Sequence, residues 1–177
     1  MEETRTRPSK VYVGRLQDRQ LDKVVELEAL AKQMYVAHGF AAGDIHARSL
    51  VEIVKLTKGH NVRVADADDV VAGYLAWRDE SPGVGYVEEL CVHPRFQRFG
   101  VGTKLFERAR QEAEELNLRA MLVRCWAKAT WAKAFFTKQG FKPVDGSLPE
   151  IVETWKGEQS AAGPFVRDGE MALYLSL

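Results

Sequence analysis

The stretch Glu88–Phe106, EELCVHPRFQRFGVGTKLF, carries the chain from a strand through a short basic loop into a helix that opens on Gly100 and Gly102. A strand feeding a helix this directly calls for a fold in which helices pack on a sheet. The rest of the chain supplies the other pieces. Val11–Leu16 is short and β-branched and reads as a first strand. Asp18 is placed to cap a helix in which Leu21, Val24, Val25, Leu27, Leu30, Ala31, Met34 and Tyr35 recur at helical spacing up to Gly39. Behind Asp44, a second helical run carries Ile45, Leu50, Ile53, Val54 and Leu56.

Asn61–Asp66 and Val70–Arg78 are strand-like runs separated by turn-forming residues, the pattern of an antiparallel hairpin. A Ser81-Pro82-Gly83 turn leads into a fourth strand, Val84–Val92. Val101, Leu105, Phe106, Ala109 and Leu116 then mark one face of a helix ending near Asn117, and Ala120–Trp126 is a fifth strand. Thr130–Gln139 reads as a helix with Gly140 where a left-handed cap would close it, and Phe141–Val144 as a short strand. Asp145–Glu170 reads as a long irregular segment punctuated by Gly and Pro, and Met171–Leu177 as a closing strand. This order argues for a mixed α+β domain spanning residues 11–177 behind a polar tail of residues 1–10.

Lys plus Arg and Asp plus Glu both number 25, a net charge of zero that offers no global attraction for nucleic acid or an anionic membrane. Apolar runs fall short of the ~20 residues a spanning helix needs, and the polar start does not resemble a signal peptide, so the expected place is the cytoplasm. Cys91 and Cys125 are too few for a disulfide framework and lack a C-x-x-C or His-rich partner, so they read as reduced core residues, and no metal site is expected. His93 reads as a support for the Pro94 turn, and Trp77, Trp126 and Trp131 as core residues.

The chemistry lies in the loop. Glycines remove the side chains that would block an anion, and the opening amides of a helix, with its dipole, can grip a diphosphate. Arg95, Arg98 and Lys104 add charge around it. The pattern is not a P-loop, and Leu105 stands where the third glycine of a dinucleotide fingerprint would fall.

Gln97-x-x-Gly100-x-Gly102 after the Val92-His93-Pro94 step resembles motif A of the GNAT superfamily of N-acetyltransferases, a Gln/Arg-x-x-Gly-x-Gly/Ala pattern following the fourth strand. Ala127–Val144, AKATWAKAFFTKQGFKPV, resembles the family's motif B helix, with Ala132, Phe135, Gly140 and Phe141 matching. Ala129 and Phe136 occupy that motif's Asn and Tyr positions and depart from it. The resemblance implies a mixed, mostly antiparallel central sheet flanked by helices, with a splayed cofactor cleft between the fourth and fifth strands. It also implies acetyl-CoA, or another acyl-CoA, as donor.

By that resemblance, the backbone of Leu90, Cys91 and Val92 pairs with the pantetheine arm as one more strand would. Amides of Arg98, Phe99, Gly100, Val101, Gly102 and Thr103 hold the pyrophosphate, with Gln97 beside them, and Ala129, Phe135 and Phe136 border the cofactor. An alkyl ammonium has a pKa near ~10.4 and must lose a proton before it attacks a thioester. Glu88 and Glu89, consecutive on a strand, should point to opposite faces, and Glu88 aligns with the first member of an acidic pair in the spermidine/spermine N-acetyltransferase group, so it is favoured over Glu89 as the base. A backbone N–H near Leu90–Val92 would stabilise the oxyanion. Phe136 has no proton to give the leaving thiolate.

Acceptor specificity is expected in Gln33–His46, through Tyr35, His38 and Phe40, and in Asp145–Glu170, where six acidic residues stand against two basic ones beside Trp155 and Phe165. Carboxylates and aromatic faces of this kind suit a cationic amine. The leading expectation is acetylation of a primary amine on a small molecule by direct attack. The alternatives are a protein N-terminal or lysine acetyltransferase, which needs an open peptide groove at the long final segment, and a non-catalytic acyl-CoA-binding module. Assembly as a homodimer stays open.

Overall fold

A computed structural model of the chain describes residues 7–162 and 165–177. Seven strands, β1 (Val11–Arg15), β2 (Asn61–Ala67), β3 (Val70–Ser81), β4 (Val84–Val92), β5 (Ala120–Trp126), β6 (Lys142–Pro143) and β7 (Glu170–Ser176), hydrogen-bond in the order β1-β2-β3-β4-β5-β7-β6. The pairs β1/β2, β2/β3, β5/β7 and β6/β7 are antiparallel, and β4 and β5 are parallel. The helices are α1 (Leu21–Ala37), α2 (Leu50–Gly59), α3 (Val101–Glu115), α4 (Thr130–Lys138) and α5 (Glu150–Ala162). The mixed, mostly antiparallel architecture expected from the sequence is the one observed.

The chain groups into two compact units: residues up to Trp77 with Glu89–Ala109, and Arg78–Glu88 with Arg110–Leu177. In the first, Val24 and Leu27 of α1 and Ile53 and Leu56 of α2 pack on Val62, Val64, Tyr74, Ala76 and Cys91. β2 and β3 are joined by Asp68 and Asp69, both at positive φ (49° and 64°), the backbone a two-residue hairpin turn of the right twist requires. Asp68 in turn accepts from Ser9 N (3.1 Å) and Ser9 Oγ (2.5 Å), so the end of the expected polar tail is tied to this turn.

In the second unit, Val152 and Trp155 of α5 pack on Val84, Tyr86, Ala120, Leu122 and Tyr174. Both α3 and α4 stop by the same device. Leu118 N donates to Ala113 O (3.0 Å) and Asn117 N to Glu114 O (2.9 Å), with Asn117 at φ 59°. Phe141 N donates to Phe136 O (3.0 Å) and Gly140 N to Thr137 O (3.0 Å), with Gly140 at φ 94°. These paired bonds around a left-handed residue satisfy the last carbonyls of each helix.

Four expectations are corrected. The segment from Asp145 is not irregular throughout, since residues 150–162 form α5. Pro149 precedes the helix, where a missing N–H does no harm, and a Cβ at Gly157 would meet open space. The second helix starts at Leu50, not near Ile45, because Ser49 and Glu52 form a capping box, while Asp44 N closes a separate turn on Ala41 O. Asp18 opens a 3₁₀ turn, Asp18–Gln20, where Gln17 and Gln20 supply the box, and α1 follows at Leu21. The short strand shrinks to Lys142–Pro143, and Pro143 has no N–H for a longer ladder.

Gly73 makes a tight backbone approach in the first unit. A Cβ there would lie 2.7 Å from Cys91 O, 3.2 Å from Leu105 Cδ1 and 3.3 Å from Val92 Cα. Gly73→Ala is expected to push β4 and α3 away from β3 and to destabilise the fold by about 1–3 kcal/mol, read as a lower urea midpoint at unchanged slope.

Candidate active site

In the first unit, β4 delivers Leu90–Val92 to a turn built on His93 and Pro94. His93 Nδ1 accepts from Arg95 N (3.1 Å), His93 N donates to Ala72 O (2.8 Å), and Phe96 is buried beneath, under the Arg95 guanidinium at 5.3 Å. Arg98 then adopts φ 67° and Gly100 φ 83°. Left-handed residues spaced this way turn successive N–H groups toward one side, the geometry of an anion nest. Lys104 N donates to Gly100 O (3.0 Å), so the amides of Val101–Thr103 precede the first intrahelical bond of α3. A Cβ at Gly100 would meet no protein atom within 4 Å, leaving the loop open on that side. Buried Val101 and Leu105 seat the helix, while Arg98 and Lys104 are exposed around its start. A diphosphate fits this cradle.

Gln97 is turned inward. Its Nε2 donates to Val92 O (3.3 Å) and to Met34 Sδ (3.1 Å), tying the loop to the end of β4 and to α1. Of the three residues expected to pair with pantetheine, Leu90 and Val92 are half-buried and Cys91 is buried, its Sγ donating to Leu27 O (3.5 Å). Burial pushes the Cys91 thiol well above its ordinary range, with Glu89 and Glu28 adding to the shift. The acceptor candidates lie at the end of α1: Tyr35 and Phe40 meet edge to face at 5.1 Å, and exposed His38 binds Met34 O through Nδ1 (2.8 Å).

Glu89 belongs to a polar cluster that reading the sequence alone misses. Arg48 Nη1 donates to Glu89 Oε2 (2.7 Å) and to Glu28 Oε1 (3.2 Å), Arg48 N donates to Glu28 Oε2 (3.0 Å), and the Tyr74 hydroxyl donates to Glu28 Oε1. Burial raises the Tyr74 phenol well above its usual value, keeping it a donor. The available signal was Glu28 itself, a carboxylate beside Leu27 on the apolar face of α1. Next to this cluster in sequence, Ser49 and His46 hold the Glu52 carboxyl down at about 2.

In the second unit, Glu88 Oε2 accepts from Arg78 Nη1 (2.5 Å), and Arg78 Nη2 binds Glu80 Oε2 (2.6 Å). The Arg78 guanidinium lies 5.0 Å over the Tyr86 ring, whose hydroxyl burial pushes up to about 12. Trp155 and Phe165, expected to offer faces to an acceptor, both face Arg124, at 5.6 and 5.7 Å. Arg124 Nη2 donates to Gln159 Oε1 (3.2 Å), and Gln159 Nε2 to Glu80 Oε1 (3.1 Å). On α4, Ala129 is buried at the N-cap and makes no side-chain cap. Phe136 is buried between Phe135 and Phe141, each at 5.2 Å. Cys125 is half-buried, and its thiol is also pushed up by burial. Among the described residues no cluster of three or more metal-ligating side chains occurs, and no helix is long and apolar enough to cross a membrane.

With its thiol held protonated and out of solvent, Cys91 should resist a thiol reagent in the native protein at mildly alkaline pH and react once the chain is unfolded in denaturant. Rapid native labelling of Cys91, read by mass spectrometry, would contradict the burial described here.

The fold has counterparts among solved structures. The coenzyme A complex of a PaiA N-acetyltransferase from Thermoplasma acidophilum superimposes with a TM-score of 0.74 at 13% identity, covering 95% of this chain and 99% of that one. The ribosomal-protein-S18-alanine N-acetyltransferase of Escherichia coli gives 0.67 at 16% identity, with 94% of each chain covered. YncA from Salmonella typhimurium, solved with its cofactor acetyl-CoA, gives 0.68 at 18% identity, covering 96% of this chain and 95% of that one. The sequence model of the acetyltransferase (GNAT) family matches residues 21–141, from the first residue of α1 through the capped end of α4. The chain therefore belongs to the GNAT family of acetyltransferases, which use acetyl-CoA.

Proposed function

We propose that this acetyltransferase moves the acetyl group to a primary amine of a small molecule by direct attack. The observation that carries the reading is the pair of part-exposed carboxylates, Glu88 and Glu89, immediately ahead of Leu90–Val92, in a chain whose two thiols are both pushed up by burial. Thiols held protonated are poor nucleophiles, which favours one-step transfer over an acyl-cysteine route. Support for a small acceptor comes from α5, which packs as a helix over Val84, Tyr86 and Leu122 along the segment where a peptide enzyme would need an open groove.

Acetyl-CoA, when bound, supplies a thioester whose acetyl carbon accepts the amine nitrogen while the carbon–sulfur bond breaks. The amides from Arg98 to Thr103 hold its diphosphate, and the backbone of Leu90–Val92 aligns its arm. Glu88, oriented by Arg78, takes the proton from the acceptor's ammonium through water, and the neutral amine then attacks. Phe136 contributes an apolar surface only, so solvent protonates the leaving thiolate, which at a thiol pKa near ~8.5 departs without a dedicated acid.

A thiol-release screen with acetyl-CoA against primary alkylamines, amino acids, aminoglycosides and peptides tests the reading: turnover with a small amine supports it, and turnover with peptides alone overturns it. Glu88→Gln should lower turnover by ~10² to 10⁴-fold while acetyl-CoA affinity holds. The deficit should widen as pH falls, because the amine is then ammonium and the variant has no carboxylate to relieve it. Equal losses at all pH values would remove Glu88 from the proton path. Gly100→Ala adds a Cβ to a left-handed residue and intrudes into the open side of the loop, so it should cost about 1–2 kcal/mol of stability and weaken acetyl-CoA binding in calorimetry.

A further inference from the structure

Charges drawn into a protein are ordinarily paired, and Arg124 departs from that rule. Its guanidinium is half-buried among three rings, with Tyr86 and Trp155 at 5.6 Å and Phe165 at 5.7 Å. A guanidinium has five donors. Among the described residues, Arg124 Nη2 donates to the neutral amide of Gln159 (3.2 Å), the buried Nε finds no acceptor, and no carboxylate pairs with the side chain. Aromatic faces hold a cation and keep water from its flanks, but they do not use its N–H groups. The fork of Nη1 and Nη2 therefore has donors to spare for a carboxylate, the planar anion its geometry matches.

The sheet sets what stands beside this fork. The parallel pairing of β4 with β5 runs from Val84–Ala120 to Val87–Val123, and the next residue on each strand is Glu88 and Arg124. Residues two apart on a strand share a face, so both return to the face on which Tyr86 and Leu122 pack beneath α5. The contacts agree with the register: Arg78 binds Glu88 (2.5 Å) and lies 5.0 Å over the Tyr86 ring, and Arg124 lies over that same ring. Glu88 and Arg124 thus rise side by side from strands about 4.8 Å apart, just where the ladder between them ends. All of these residues belong to the second unit.

We propose that Arg124 anchors a carboxylate of the acceptor while the acceptor's primary amine lies at Glu88, which makes the substrate class a small amino acid. The inference rests on the amine-acetyltransferase reading and deepens it, since Glu88 is the base there. A carboxylate gives the guanidinium charge-assisted hydrogen bonds in a setting that the rings have partly dried, where such bonds are stronger than in water. A polyamine would instead bring a second cation against Arg124. Gln159 and the rings already hold the fork, so little side-chain freedom is lost when the carboxylate arrives.

The test offers the full chain acetyl-CoA with glycine, β-alanine, 4-aminobutyrate and the common L-amino acids, each beside the amine in which a methyl group replaces the carboxylate. Rates are compared at equal concentrations of unprotonated amine, because a nearby carboxylate alters the ammonium's own pKa. At least one amino acid should exceed its matched amine in kcat/KM by roughly 10- to 100-fold, the effect of one charge-assisted hydrogen bond. In Arg124→Gln that ratio should fall toward unity while acetyl-CoA affinity holds in calorimetry, and Arg124→Lys should keep part of it. A purely structural role in seating α5 would lower both members of each pair together, and that result overturns the inference. If neither variant folds, the wild-type pairs decide alone, and a preference for the methyl-bearing amine in every pair overturns it. Turnover of simple amines with no amino acid accepted sinks this inference and leaves the amine reading standing; a chain that acetylates no small amine sinks both.

Discussion

The close approach at Gly73 sets the stage on which the first unit works. With no side chain at this position, β3 lies against the carbonyl of Cys91, the Cα of Val92 and the tip of Leu105; a Cβ would come to 2.7 Å from Cys91 O, closer than Cβ atoms approach, and would press on the other two at 3.3 and 3.2 Å. His93 N reaches Ala72 O from the same seat. The end of β4, the turn that follows and the first turn of α3 are therefore held to β3 as one piece. Only after that is the backbone free to place Arg98 and Gly100 in left-handed conformations, because a nest of amides is useful only if its flanks do not yield. Gln97 completes the bracing by binding Val92 O and Met34 Sδ, so a residue of the motif acts on the loop's own frame.

What could be read from the sequence were the elements whose signals are local. The β-branched runs at Val11, Asn61, Val70, Val84 and Ala120 became strands, and Gly140 became a left-handed cap. The loop at Gln97–Gly102 was legible because glycines before a helix have a direct physical meaning. α5 is hard to read from the sequence because Pro149 and Gly157 punctuate the segment and mask the stripe of Ile151, Val152 and Trp155. Pro149 lies outside the helix, and Gly157 costs only its own conformational entropy on an open face. The Glu28–Arg48–Tyr74–Glu89 cluster was invisible for a different reason. Its members come from α1, from the connection before α2, from β3 and from β4, and only the packed structure brings them together.

Each unit holds a guanidinium shared between two carboxylates. In the second, Arg124 sits against Tyr86, Trp155 and Phe165, so the aromatic faces that composition suggested for an acceptor are occupied by the chain's own guanidinium. Arg78 is shared between Glu80 and Glu88, and Gln159 links Glu80 to Arg124. Cations and anions there are linked within the protein, and the network anchors α5 over the sheet. In the first unit Arg48 is likewise shared between Glu28 and Glu89. Aromatic and acidic composition alone does not reveal such pairing, because attraction to a ligand depends on what remains after the chain has satisfied itself.

The same distinction bears on the motif B helix. The Gly140-Phe141 pair that makes this stretch resemble its family has a structural cause in the way α4 ends. Phe141 N reaches back to Phe136 O, Gly140 supplies the left-handed turn, and the two rings meet at 5.2 Å, the apolar contact that accompanies such a cap. Phe136 is therefore fixed by packing whatever else it does. Phenylalanine where the motif carries tyrosine keeps the ring that the cap requires and removes only the hydroxyl. Ala129 likewise keeps a small side chain at a buried N-cap and gives up only a hydrogen bond to the helix start. Both departures thus leave the fold's demands met and subtract polar groups alone. Such substitutions can persist in an enzyme whose leaving group is a thiolate stable enough to depart into water.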